Sequence, residues 1–113
     1  MSQAWPPPPD INSIKELTRD ADIEGFIAKG APADEYDTEA EELFKAIQQF
    51  ATKELVAVRL MPILKRIWAV NFNVSGDELV SRQPALDGLA NQIARFFGPE
   101  ATPQVRGSLP NRS

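Results

Sequence analysis

The chain contains no cysteine and no histidine. The first absence excludes a disulfide framework, a thiolate zinc site and a thiol nucleophile. The second removes the usual general base near neutral pH and the commonest transition-metal ligand. Acid–base chemistry would therefore fall to carboxylates, to the single tyrosine or to a lysine with a shifted pKa. The six glycines (25, 30, 76, 88, 98 and 107) never fall in G-x-G spacing, so no phosphate-cradling loop is expected. No apolar run approaches the ~20 residues of a membrane-crossing helix. Met1–Asp10 carries neither Lys nor Arg, so no basic-plus-apolar targeting segment is expected there, and the expected location is cytoplasmic. These absences argue against an enzyme and predict no cofactor.

What is present is 113 residues with 12 basic and 16 acidic side chains, a length suited to one domain. The net charge of −4 conceals a division. From Asp10 to Glu42, eleven acids face only Lys15, Arg19 and Lys29, a balance of −8; from Leu43 onward nine bases face five acids, a balance of +4. Such asymmetry favours either neutralisation across the fold or head-to-tail self-association.

Ten prolines cluster toward the ends. Residues 1–10, with four consecutive prolines after Trp5, are expected to form a Pro-rich tail, as a spacer or as a polyproline ligand for an aromatic groove. Residues 99–113 are expected to form a second, flexible tail. A single helical domain is expected over residues 11–98.

Within that span the apolar spacing is helical. Ile11, Ile14 and Leu17 recur at three-residue steps, with Asp10 or Asn12 as cap. Ile23, Phe26 and Ile27 suggest a second helix capped by Asp20 or Asp22 and stopped by Gly30-Ala31-Pro32. Thr38 and Glu41 have capping-box spacing, ahead of a stripe of Leu43, Phe44, Ile47, Phe50 and Ala51. Residues 55–61 fit either a strand or the start of a helix carrying Val56, Leu60, Ile63, Leu64, Ile67 and Trp68. Helix is preferred, with Pro62 kinking it or marking its first turn. A short turn over Asp77–Arg82 and a last helix opened by Pro84, with Leu86, Leu89, Ala90, Ile93, Phe96 and Phe97 inward, complete the pattern. Gly25 and Gly88, read as mid-helix, are expected to permit close helix packing. The expected fold is all-α, a small antiparallel bundle of four to five helices.

The densest polar feature is the loop around Asp34-Glu35-Tyr36-Asp37. Clustered carboxylates can hold Mg²⁺ or Ca²⁺, with Asp34, Asp37 and Glu41 as the weak candidates, yet the spacing matches no EF-hand. The simpler account places the acids at the positive end of a helix. Tyr36 would either anchor a partner or staple the loop to the bundle. Arg59, Lys65 and Arg66 near Trp68, with Lys53 upstream, are too few for a nucleic-acid surface and are expected to pair with the acidic half, leaving Trp68 in the core.

Asp22-Ile23-Glu24-Gly25-Phe26-Ile27, then Gly30-Ala31-Pro32, then Asp34-Glu35-Tyr36-Asp37 resembles a family of small bacterial all-helical proteins of unknown function. Its members carry a D-P-x-G-L segment followed by P-x-D-E-Y-D; Ile23 stands where the family has proline. The resemblance covers about residues 20–50 and implies a fold and a signature loop without a reaction. The function expected is a small non-catalytic protein-interaction module of inhibitor or immunity type. Its contact residues would be Asp34, Glu35, Tyr36 and Asp37, and its partner a basic protein. The alternatives are a divalent-cation-binding carboxylate protein or enzyme and a self-associating structural protein; neither nucleic acid nor membrane is expected as a partner.

Overall fold

The first helix begins where the sequence offers a cap. In the computed structural model, which describes residues 7–101, the Asp10 carboxylate accepts from the Ser13 backbone N–H (3.0 Å) and Ser13 hydroxyl (2.8 Å), opening α1 at Ile11–Ala21. Asp22 ends α1 in the left-handed conformation (φ 42°), its N–H donating to the Thr18 carbonyl.

The second helix expected at residues 23–27 does not form. Asp22 is spent as the stop of α1, and Gly25 follows with φ 73°, so the chain turns sharply instead. The stop at Gly30 is real even though no helix precedes it. Gly30 (φ 105°) donates to Ile27 O at 3.0 Å and Ala31 donates to Phe26 O at 2.9 Å, the paired bonds of a left-handed termination.

Helix α2 spans Asp37–Ile47. Tyr36 occupies its cap position without a side-chain cap bond, so the capping box expected from Thr38 and Glu41 is not made. Asp37 and Glu39 in the first turn favour the helix start electrostatically. A 3₁₀ turn at Thr52–Glu54 leads to α3 at Ala57–Asn71, which excludes the strand over 55–61. Pro62 lies inside α3, and Pro84 lies inside α4, a single 21-residue helix at Asp77–Phe97. Pro84 therefore does not open the last helix. It sits on the exposed side of the helix, one turn after the exposed Val80, whose carbonyl it deprives of an N–H donor.

The helices pack as a ring, α1 on α2, α2 on α3, α3 on α4 and α4 on α1, so α1 and α3 stand diagonally. Among the described residues there is no strand. Ile14, Leu43, Leu60, Leu64, Trp68, Leu86 and Ile93 are fully buried at the centre, as the period-3.6 stripes require. Leu55 plugs the α2–α3 connector into this core. The expected tails fall mostly outside the described residues. Of their described parts, Pro8 and Pro9 border a cavity of about 470 Å³ with Phe44, Ile47, Phe50 and Leu55, and Ala101 closes a turn on Gly98.

Candidate functional site

The acidic loop is held from beneath by its one aromatic residue. Two turns, Glu35 N–H to Pro32 O and Asp37 N–H to Asp34 O (both 3.1 Å), bring the chain into α2. They point Tyr36 inward: it is 1% exposed and in the core. Its ring stacks on Phe26 (6.1 Å between centroids) and on Trp68 (6.3 Å) and tilts against Phe72. Tyr36, one of the four expected contact residues, therefore faces the bundle, and a partner would meet Asp34, Glu35 and the partly buried Asp37.

The Tyr36 hydroxyl is saturated. It donates to Asp22 Oδ1 (2.7 Å) and accepts from the N–H groups of Glu24 (3.0 Å) and Phe26 (3.4 Å). Burial, reinforced by the bond to Asp22, pushes the phenol pKa up to about 12. The Asp22 carboxylate also accepts from Ile27 N–H (3.0 Å) and Ala28 N–H (2.9 Å). Burial tends to raise its pKa, but the Tyr36, Ile27 and Ala28 hydrogen bonds and nearby Lys29 outweigh it, holding the carboxyl below its ordinary value. Asp22 is thus a hub that folds residues 22–30 around the tyrosine.

Glu24, on the same turn, was not singled out by the sequence pattern. Its Oε2 accepts from Trp68 Nε1 (2.9 Å) and Arg82 Nε (2.8 Å), and its Oε1 from Arg82 Nη2 (2.9 Å). This two-pronged pair, with the Glu24 side chain only 7% exposed, ties the loop to α3 and α4. The bonds to Glu24 raise the Arg82 pKa above its already high ordinary value. A buried Trp N–H requires an acceptor, but nothing in the sequence says that the acceptor lies 44 residues upstream. Asn71 likewise donates from α3 to Glu39 and Glu42 on α2 (both 3.0 Å).

The weak cation candidates do not converge. Asp37 and Glu41, one turn apart on α2, flank the Lys15 ammonium at 3.6 and 3.4 Å, so a side-chain cation already sits between them. Asp34 borders an open cleft of about 390 Å³ with Asn12, Lys15, Arg19 and Asp37. Among the described residues, no group of three or more acidic side chains is arranged to hold a metal ion.

The expected pairing of the basic face with the acidic half also fails. Arg59 pairs locally with Glu54 (3.2 Å) and lies over the Phe50 ring. Lys53, Lys65 and Arg66 make no ion pair among the described residues; only Arg82–Glu24 joins the two halves of the charge division. Trp68 is in the core, as expected. Among known proteins, no family model, curated protein or solved structure matches this chain significantly.

Proposed function

We propose that the chain is a non-catalytic protein-interaction module that presents an acidic surface to a basic partner, in the manner of an inhibitor or immunity protein. One observation supports this above all: the loop carrying exposed Asp34 and Glu35 is anchored by the hydrogen bond of buried Tyr36 to the half-buried Asp22 while its own charges stay at the surface. Rigid backing with solvent-facing charge gives fast, specific association at little ordering cost. Glu41 and Glu42 extend the exposed acidic surface along α2. Of the groups with shifted proton affinities, Asp22 and Tyr36 are closed onto backbone N–H groups and hold the loop, and Arg82 is closed onto Glu24.

The test is affinity capture with the intact chain and with an Asp34→Lys, Glu35→Lys double variant. Both residues are exposed, so the fold is retained, which thermal denaturation verifies. Loss of a basic partner from the variant supports the assignment; equal recovery by both proteins rejects it. Tyr36→Ala is unsuitable, because it empties the core.

A further inference from the structure

The same local pattern occurs on two neighbouring helices. Pro62 stands inside α3 and Pro84 inside α4, and each follows a valine by four residues, Val58 and Val80. A helix proline withholds the N–H that the carbonyl four residues back would accept from. The carbonyls of Val58 and Val80 therefore both lack that helical donor. The two valines are also among the three large apolar side chains exposed in the described residues, at 77% and 62%. An exposed aliphatic and a carbonyl without its helical donor thus coincide twice.

Between these helices lies a cleft of about 510 Å³ with oppositely charged walls. Helix α3 supplies Met61 and Lys65; α4 supplies Val80, Gln83, Pro84 and Asp87. Val58 precedes Met61 by three residues and Lys65 by seven, which places it on the same side of α3. Helix α3 carries Arg59, Lys65 and Arg66 and no acid. Along α4 from Asp77 to Asp87 the acids Asp77, Glu78 and Asp87 face only Arg82, whose guanidinium is drawn to Glu24. Lys65 and Asp87 border one cleft, yet Lys65 makes no ion pair among the described residues, and Asp87 accepts only an amide N–H from Asn91 (3.2 Å). A positive strip therefore lies beside a negative one, and neither neutralises the other within the chain.

We infer that this α3–α4 face closes on the same face of a second copy, about a two-fold axis running along the cleft. Such an axis lays each α3 over the other copy's α4. Lys65 and Asp87 flank one cleft, so the rotation brings them level again across the contact, as two reciprocal pairs of opposite charge. A two-fold axis across the helices would instead set α3 on α3 and bring the bases together, which Coulomb repulsion disfavours. Val58 and Val80 leave water together in the contact. Two helix surfaces cover less than the ~800 Å² per partner of a standard interface, so the dimer is weak, and its charge pairs make it salt-sensitive. It uses neither Asp34 nor Glu35 and stands apart from the partner surface proposed above.

Sedimentation velocity of the full chain at low salt, over about a hundredfold concentration range, reads the association directly. The expected result is a sedimentation coefficient that rises with concentration to a plateau at the dimer and falls back on adding salt. Lys65→Glu and Asp87→Lys each set like charges against each other at both contacts, and each is expected to weaken association at least about tenfold. An equimolar mixture of the two variants pairs opposite charges at both contacts, so it is expected to dimerise as the wild type does. That recovery requires folded variants and reciprocal geometry, and misfolding cannot imitate it. A wild type that stays monomeric throughout overturns the inference. So does growth past the dimer, association that both variants leave unchanged, or a mixture no tighter than its components.

Discussion

Tyr36 illustrates how much one side chain decides here. Removing its hydroxyl leaves the Glu24 and Phe26 N–H groups and the Asp22 carboxylate each short of a partner in a half-buried setting. Tyr36→Phe is therefore expected to destabilise the fold by about 1–3 kcal/mol, measured by denaturant unfolding; a change under a few tenths means water replaces the hydroxyl without loss. The ionisation of Tyr36 carries a sign as well. Its folded pKa is raised from 10.0 to about 12, so its contribution is fully present below pH 10.0 and is lost as pH rises through about 12. The chain has a single tyrosine, so phenolate absorbance against pH reports this residue alone. A midpoint near the ordinary value would contradict the burial of Tyr36 and its bond to Asp22.

At the scale of the element, the end of α4 shows why a glycine stands where it does. Gly98 has φ −84°, which any residue adopts; its constraint is proximity. An added Cβ would collide with the Leu55 carbonyl oxygen and lie 2.7 Å from that of Ala94. Backbone atoms on both sides leave no flexible neighbour to yield, so Gly98→Ala is expected to cost about 1–3 kcal/mol by overpacking. A Cβ added at Gly88, inside α4, meets nothing within 4 Å, so Gly88 does not serve the close packing its sequence position suggested; the contrast with Gly88→Ala, expected to be neutral or stabilising, makes the pair of melting curves informative. Equal effects of the two would mean that the α4 end does not bear on the α2–α3 connector. The prolines belong at this scale too. Pro84 reads as a boundary in the sequence, yet it lies within α4, while Pro62, expected to kink its helix or mark the first turn, lies inside α3; both prolines are on exposed helix faces.

At the scale of the molecule, charge is segregated and only one ion pair, Arg82–Glu24, bridges the division among the described residues. The acids of residues 10–42 therefore repel one another with little internal relief. Dilute protein is expected to gain stability as salt rises, since the Debye length falls from ~30 Å at 0.01 M to ~10 Å at 0.1 M and like charges are screened first. A melting temperature that stays flat or drops over that range would mean that the Lys15 and Arg19 pairs outweigh the repulsion.

Sequence alone determined the all-helical class and most of the inward faces. Stripes such as Leu43–Ile47 and Leu86–Leu89–Ile93 are local consequences of a 3.6-residue period, and burial follows them directly. It also marked Gly30 as a left-handed stop and narrowed the α1 cap to Asp10 or Asn12, of which Asp10 makes the bond, since both act within a few residues. Tertiary structure decided the rest. Whether Asp22 starts a helix or stops one depends on Tyr36, fourteen positions away, and the acceptor for Trp68 sits forty-four away on Glu24. Tyr36 faces inward because Phe26, Trp68 and Phe72 converge only once the helices pack. Propensity and periodicity are carried along the chain, whereas hydrogen-bond partners, grooves and neutralising charges come from whatever the fold brings alongside.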